Sequence, residues 1–180
     1  TTLLKDIHEG SSSVWIDKFH VDTINNKLLF FSSSTNSTDK TLWVSNGLSI
    51  GTFELSTIRD NNLSTLKENF ITINNSTILT GEDDINGNEL WITDGTIAGT
   101  SLLVDLNYSN GSNPTKFTNV NGNVFFRANS KETGGQLFKS DGSVNGTLLV
   151  KDIYPEYICI DDLSEMKVIN GVLYFSAIDD

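Results

Sequence analysis

The chain repeats itself, and no other feature constrains its fold as strongly. A period of about 20 to 50 residues marks one supersecondary unit copied and stacked on its neighbours. Leu42-Trp43-Val44-Ser45-Asn46-Gly47, leading to Gly51-Thr52, returns as Leu90-Trp91-Ile92-Thr93-Asp94-Gly95-Thr96, leading to Gly99-Thr100. It returns again as Leu137-Phe138-Lys139-Ser140-Asp141-Gly142, leading to Gly146-Thr147. The aromatic recurs at steps of 48 and 47 residues. A second landmark, Asn25-Asn26, Asn74-Asn75, Asn121-Gly122 and Asn170-Gly171, recurs at steps of 49, 47 and 49.

Each unit reads as four short strands punctuated by turn residues. The first strand is apolar before the Asn pair, with Val21/Ile24, Phe70/Ile73, Phe117/Val120 and Met166/Ile169 in matching positions. The second is a continuous apolar run such as Val124-Phe125-Phe126, the pattern of a strand buried on both faces. The third carries the repeated aromatic. The fourth follows the Asp-Gly turn, over residues 1–7, 52–58, 100–106 and 147–153. With 20 Asn and only 3 Ala, the composition favours turns over helices.

The expected fold is all-β: a β-propeller-like array of four-stranded antiparallel blades in one repeat domain, with units near 1–51, 52–99, 100–146 and 147–180. A β-sandwich would need no repeat, and solenoid coils are usually shorter. The sequence opens on a fourth strand and stops after the second strand of its last unit. It therefore reads either as a fragment of a longer propeller or as a four-bladed ring whose last blade is completed by residues 1–7. The fragment is preferred, because such blades more often come in larger rings.

A formal net charge of −11 argues against nucleic acid and anionic lipid as partners, since both are held through Lys and Arg. No apolar run reaches the roughly 18 residues of a membrane span. The single cysteine, Cys159, excludes an intrachain disulfide.

At Glu89-Leu90-Trp91-Ile92-Thr93-Asp94-Gly95-Thr96 and its copies, the chain resembles the ELWxxDGT repeat family. Lys40-Thr41 and Asn46 depart from that signature in the first unit, as do Gln136 and Phe138 in the third. The tail Leu149-Val150-Lys151-Asp152-Ile153 keeps the family's form. The resemblance implies a secreted or surface-displayed repeat protein.

Four groups of residues are candidates for more than packing. Asp94-Gly95 and Asp141-Gly142, with Asn46 as a substitute, suit turns in which the side-chain oxygen accepts backbone N–H bonds. Asp83, Asp84, Asn86 and Asn88 alternate oxygens around Gly87, as loops that hold Ca²⁺ do, although the matching positions Ser34-Thr35 and Ser130-Lys131 lack the acidic pair. Trp15 stands off the repeat pattern and is a candidate ligand contact, whereas Trp43 and Trp91 fall in the core column. His8 and His20 sit in no metal or triad spacing.

The sequence therefore points to a non-enzymatic extracellular or surface module acting as a scaffold, adhesive or protein-interaction surface. The alternative is a glycan-binding propeller, with calcium as its cofactor. A carbohydrate-active enzyme ranks third, on fold analogy alone.

Overall fold

The computed structural model describes residues 3–7, 14–34, 40–59, 70–131, 134–151 and 165–177. Among them every regular element is a β-strand except a 3-10 turn at Ser49–Gly51. The strands form antiparallel meanders that follow the repeat. β1 (Val14–Asp22), β2 (Lys27–Ser34), β3 (Thr41–Ser45) and β4 (Phe53–Arg59) pair in chain order. So do β5 (Phe70–Ile73), β6 (Ser76–Asp83), β7 (Gly87–Thr93) and β8 (Ser101–Val104), joined to the first meander by one pairing, Arg59 with Glu82. β9 (Thr115–Val120), β10 (Asn123–Ser130), β11 (Gly134–Ser140) and β12 (Leu148–Lys151) form the third. β13 (Met166–Ile169) and β14 (Val172–Phe175) form a hairpin in the place of a fourth.

Side chains on a strand alternate between its two faces, and here both faces are used. Leu29 and Phe31 of β2, with Leu42 and Val44 of β3, pack against Phe70, Leu79 and Trp91 of the second sheet. Ile78 and Leu90, on the opposite face of that second sheet, pack against Phe117, Val124, Phe126 and Phe138 of the third. Leu137 and Phe125 meet Met166 and Leu173 of the last hairpin. The sheets therefore stack face to face in sequence order, and the apolar runs of β2, β6 and β10 are interior strands, as expected. Burying a side chain such as Phe31 or Phe126, both 0% exposed, contributes roughly 1.5–3 kcal/mol.

Three sequence expectations need correction. The first hairpin turns through four residues, since Asp22 pairs with Lys27, whereas Ile73 pairs with Ser76 and Val120 with Asn123 across two-residue turns. The longer turn shifts the register of β1. Phe19 packs on Phe30 as Phe117 packs on Phe126, while Val21 and Ile24 face solvent. Phe19, not Val21, is the counterpart of Phe70 and Phe117.

Residues 3–7 form no strand and complete no sheet among the described residues. They lie beside the first sheet, where the Lys5 ammonium donates to the Thr52 carbonyl at 2.6 Å. Leu3, Leu4 and Ile7 share a largely apolar cavity of about 340 Å³ with Ile16, Phe19 and Phe30. Finally, Trp15 is part of a regular strand, opposite Ser33 in the β1–β2 pair. Ile153, Cys159 and His8 lie outside the described residues.

Candidate functional site

The repeated Asp-Gly turn is built alike three times. Asp94 Oδ1 accepts from the Thr96 N–H at 2.8 Å and the Thr96 hydroxyl at 2.7 Å; Asp141 does the same with Ser143 at 2.9 and 2.7 Å. Asn46 Oδ1 accepts from the Leu48 N–H at 3.0 Å. Beneath each turn runs a relay. The Gly95 N–H donates to the Thr93 hydroxyl, that hydroxyl meets Thr100 Oγ1 at 2.7 Å, and Thr100 donates to the Thr96 carbonyl. Ser45–Thr52 and Ser140–Thr147 repeat it at 2.7 and 2.8 Å.

The closing glycine is fixed by contact. A Cβ on Gly51, Gly99 or Gly146 would lie 2.0, 2.2 or 2.0 Å from Oδ1 of Asn46, Asp94 or Asp141. The bonds to Thr96 and Ser143 hold both aspartates below the usual carboxylate range. These side chains are engaged within their own turns.

The β6–β7 hairpin places the four calcium candidates. Asp83 Oδ1 accepts from the N–H groups of Ile85 and Asn86 at 3.0 and 2.6 Å, and its Oδ2 accepts from Asn86 Nδ2 at 2.7 Å. Asp22 makes the same three bonds to Ile24 and Asn25. Asp-x-Ile-Asn is thus a second turn motif, legible at residues 22–25 and 83–86. Asp84 turns to Arg59 Nη2 at 2.5 Å, and that guanidinium holds its carboxyl low. Asn88 Nδ2 donates to Asn113 Oδ1 at 3.1 Å. Asp83 and Asn86 bond each other while Asp84 and Asn88 turn to other partners, and no three His, Cys, Asp or Glu among the described residues are grouped to hold a metal.

Glu89 is the residue that sequence reasoning missed. It lies on β7, two residues before Trp91, and is fully buried. Its Oε1 accepts from the Ser112 N–H at 2.7 Å and the Asn107 N–H at 3.3 Å. Its Oε2 accepts from the Leu106 N–H at 3.2 Å and from the Ser112 hydroxyl. Burial pushes its carboxyl above the ordinary glutamate range, against the pull of these donors. One side chain thus fastens both ends of the loop that carries residues 108–111. The signal was present: Glu89, Gln136 and Thr41 all stand two residues before the repeated aromatic, and Gln136 is equally buried.

That loop and the Asp83 hairpin form the two walls of a polar groove of about 330 Å³, which Arg59 also lines. The walls touch through glycine. A Cβ on Gly111, at φ +73°, would lie 2.5 Å from the Asn88 nitrogen, and the Asn113 N–H donates to the Asn88 carbonyl at 2.9 Å. Tyr108 stands 80% exposed on one wall. Glu82, Asp84, Asn86 and Asn110 supply acceptors and amides around it. Both walls are held by bonds that leave these side chains at the surface.

The remaining candidates lie elsewhere. Trp15 is 66% exposed at the first sheet and contributes nothing to the groove. His20 meets Thr72 Oγ1 at 2.7 Å and stacks on Phe70, and burial lowers its pKa. Trp43 and Trp91 are core residues, as expected. No helix among the described residues is long and apolar enough to cross a membrane.

The sequence matches no protein-family model and no curated protein. Among solved structures, it is similar to an exo-beta-1,3-galactanase from Phanerochaete chrysosporium bound to beta-1,3-galactotriose. The identity is 13% and the TM-score 0.45, over 83% of this chain and 39% of the galactanase chain. The chain thus spans about two fifths of that protein's length, and a likeness at this level decides neither fold family nor activity.

Proposed function

We propose that the chain is a non-enzymatic repeat module, an arc of β-propeller-type blades displayed outside the cell or on its surface, offering other proteins a scaffold. One observation carries this reading: the side chains that repeat from unit to unit are spent on the fold. Asp94 and Asp141 close their own turns, and Trp43, Trp91 and Phe138 pack between sheets. The resemblance to ELWxxDGT repeats supports the same reading. A panel of oligosaccharide and glycoside substrates should show no turnover. Turnover abolished by Glu82→Gln or Asp84→Asn would overturn the proposal.

A second reading, a glycan-binding module, is favoured by the groove beside Tyr108. This reading invokes no calcium: Asp83 spends its carboxylate on its own turn and Asp84 pairs with Arg59. The melting temperature should be the same in millimolar calcium and in a chelator.

A further inference from the structure

We propose that the groove between residues 82–87 and 108–111 is a binding site for a non-acidic glycan, a neutral or amino-sugar terminus, and so names the site and ligand class of the glycan-binding reading on which it rests. Three features of the groove carry the assignment.

The first is chemical complementarity. Asp84 and Arg59 stand 2.5 Å apart at the groove, so an acceptor and a donor lie side by side. Adjacent sugar hydroxyls match such a pair, one donating to the carboxylate and the other accepting from the guanidinium, because each hydroxyl has one proton and two lone pairs. Asn86 and Asn110 add amides, which serve either role. Tyr108 supplies an exposed ring on which the C–H face of a pyranose can stack.

The second is charge. The lining carries three carboxylates, Glu82, Asp83 and Asp84, against one guanidinium, Arg59. This balance repels uronate, sialate and sulfated sugars and accepts neutral or cationic ones.

The third is preorganisation. Glu89 clamps the loop of Tyr108 from inside, Asp83 closes the opposite hairpin, and Gly111 lets the two walls meet. Walls fixed before binding avoid the entropic cost of ordering loops around a ligand. The volume lies at the lower end of ligand pockets, about 300–1,000 Å³, which suits a glycan end better than a long internal segment.

The test is titration calorimetry on the full chain with five probes: N-acetylglucosamine trimer, glucosamine trimer, galactose disaccharide, galacturonate trimer and, as a cationic non-sugar, trilysine. The expected result is saturable binding of at least one of the first three and none of the galacturonate. Tyr108→Ala and Asp84→Asn should each weaken that binding about tenfold or more, with the melting temperature of Tyr108→Ala unchanged. Trp15→Ala should bind as the parent does. Sugar binding that ignores Tyr108 and Asp84, or falls with Trp15→Ala alone, would remove the groove and leave the glycan reading standing. Preference for galacturonate would overturn the ligand class. No binding of any sugar, or saturable binding of trilysine in their place, would overturn both.

Discussion

Glu89 and Ser112 are bonded twice across 23 residues of sequence, the N–H of Ser112 to one carboxylate oxygen and its hydroxyl to the other. Leu106 and Asn107 complete the set. Glu89→Ala would leave these buried donors without their acceptor and should cost about 3 kcal/mol in urea unfolding.

The pH dependence of the same residue has a definite sign. Burial raises the Glu89 pKa in the folded chain, so the native state favours the protonated form. Its contribution is therefore fullest below the unfolded value, about 4.3, and declines as pH rises through the folded value. The stability difference between the parent and Glu89→Gln should shrink across that window and then level off. A difference that stays constant from pH 4 upward would contradict this.

The contact between Asp94 and Gly99 predicts a coupling. Asp94→Ala removes the bonds to Thr96 and should cost about 1 kcal/mol. Gly99→Ala drives a Cβ against the Asp94 carboxylate and should cost about as much or more. In the double variant the added methyl meets no carboxylate, so the loss should be smaller than the sum of the two. Additive losses by thermal melting would mean that the two residues act independently.

Trp43 and Trp91 occupy the same repeat position with different satisfaction. Trp43 Nε1 donates to Thr41 Oγ1 at 3.1 Å, whereas buried Trp91 Nε1 has no acceptor, because the residue matching Thr41 is Glu89, which points to its loop. Replacing each by Phe, as the third unit does at Phe138, removes a bonded donor in one case and an orphaned donor in the other. Trp91→Phe should therefore destabilise less than Trp43→Phe, and the reverse order in chemical denaturation would refute the argument.

His20 makes the contact between the first two sheets sensitive to acid. Burial lowers its folded pKa despite the opposing field of Asp22. The stability it contributes is complete above its unfolded pKa, about 6.5, and is lost as pH falls from there through the folded value. His20→Phe should reduce the slope of stability against pH below about 6.5. An unchanged slope would place the acid sensitivity elsewhere.

The stacking of sheets was legible because interior strands advertise themselves. Runs such as Leu28-Leu29-Phe30-Phe31 have no polar alternate, and only a strand covered on both sides tolerates that. The Asp-Gly turns were legible because their bonds span only two to seven residues. For Glu89 the repeat column marked the position but not its bonds, since its partners lie 17 to 23 positions away and no local pattern records them. The register of β1 was misread for a related reason. Asn25-Asn26 looks like Asn74-Asn75, yet Asp22 makes its turn two residues longer. One wall of the groove was legible at Asp83, Asp84 and Asn86, but Arg59 and Tyr108 join it only through the tertiary fold, so the groove as a whole appears in no single stretch of sequence.

The alternation along β2, β6 and β10 governs how such a chain can change over time. Odd and even positions answer to different neighbours, so inserting one residue within a strand would exchange its two allegiances and undo both contacts at once. Duplicating a whole unit of 47 to 49 residues disturbs neither, because the new copy presents the same pair of faces to whatever stands before and after it. Lineages of this protein should therefore differ freely in the number of units and in the loops between strands, while the length of each inner strand stays fixed.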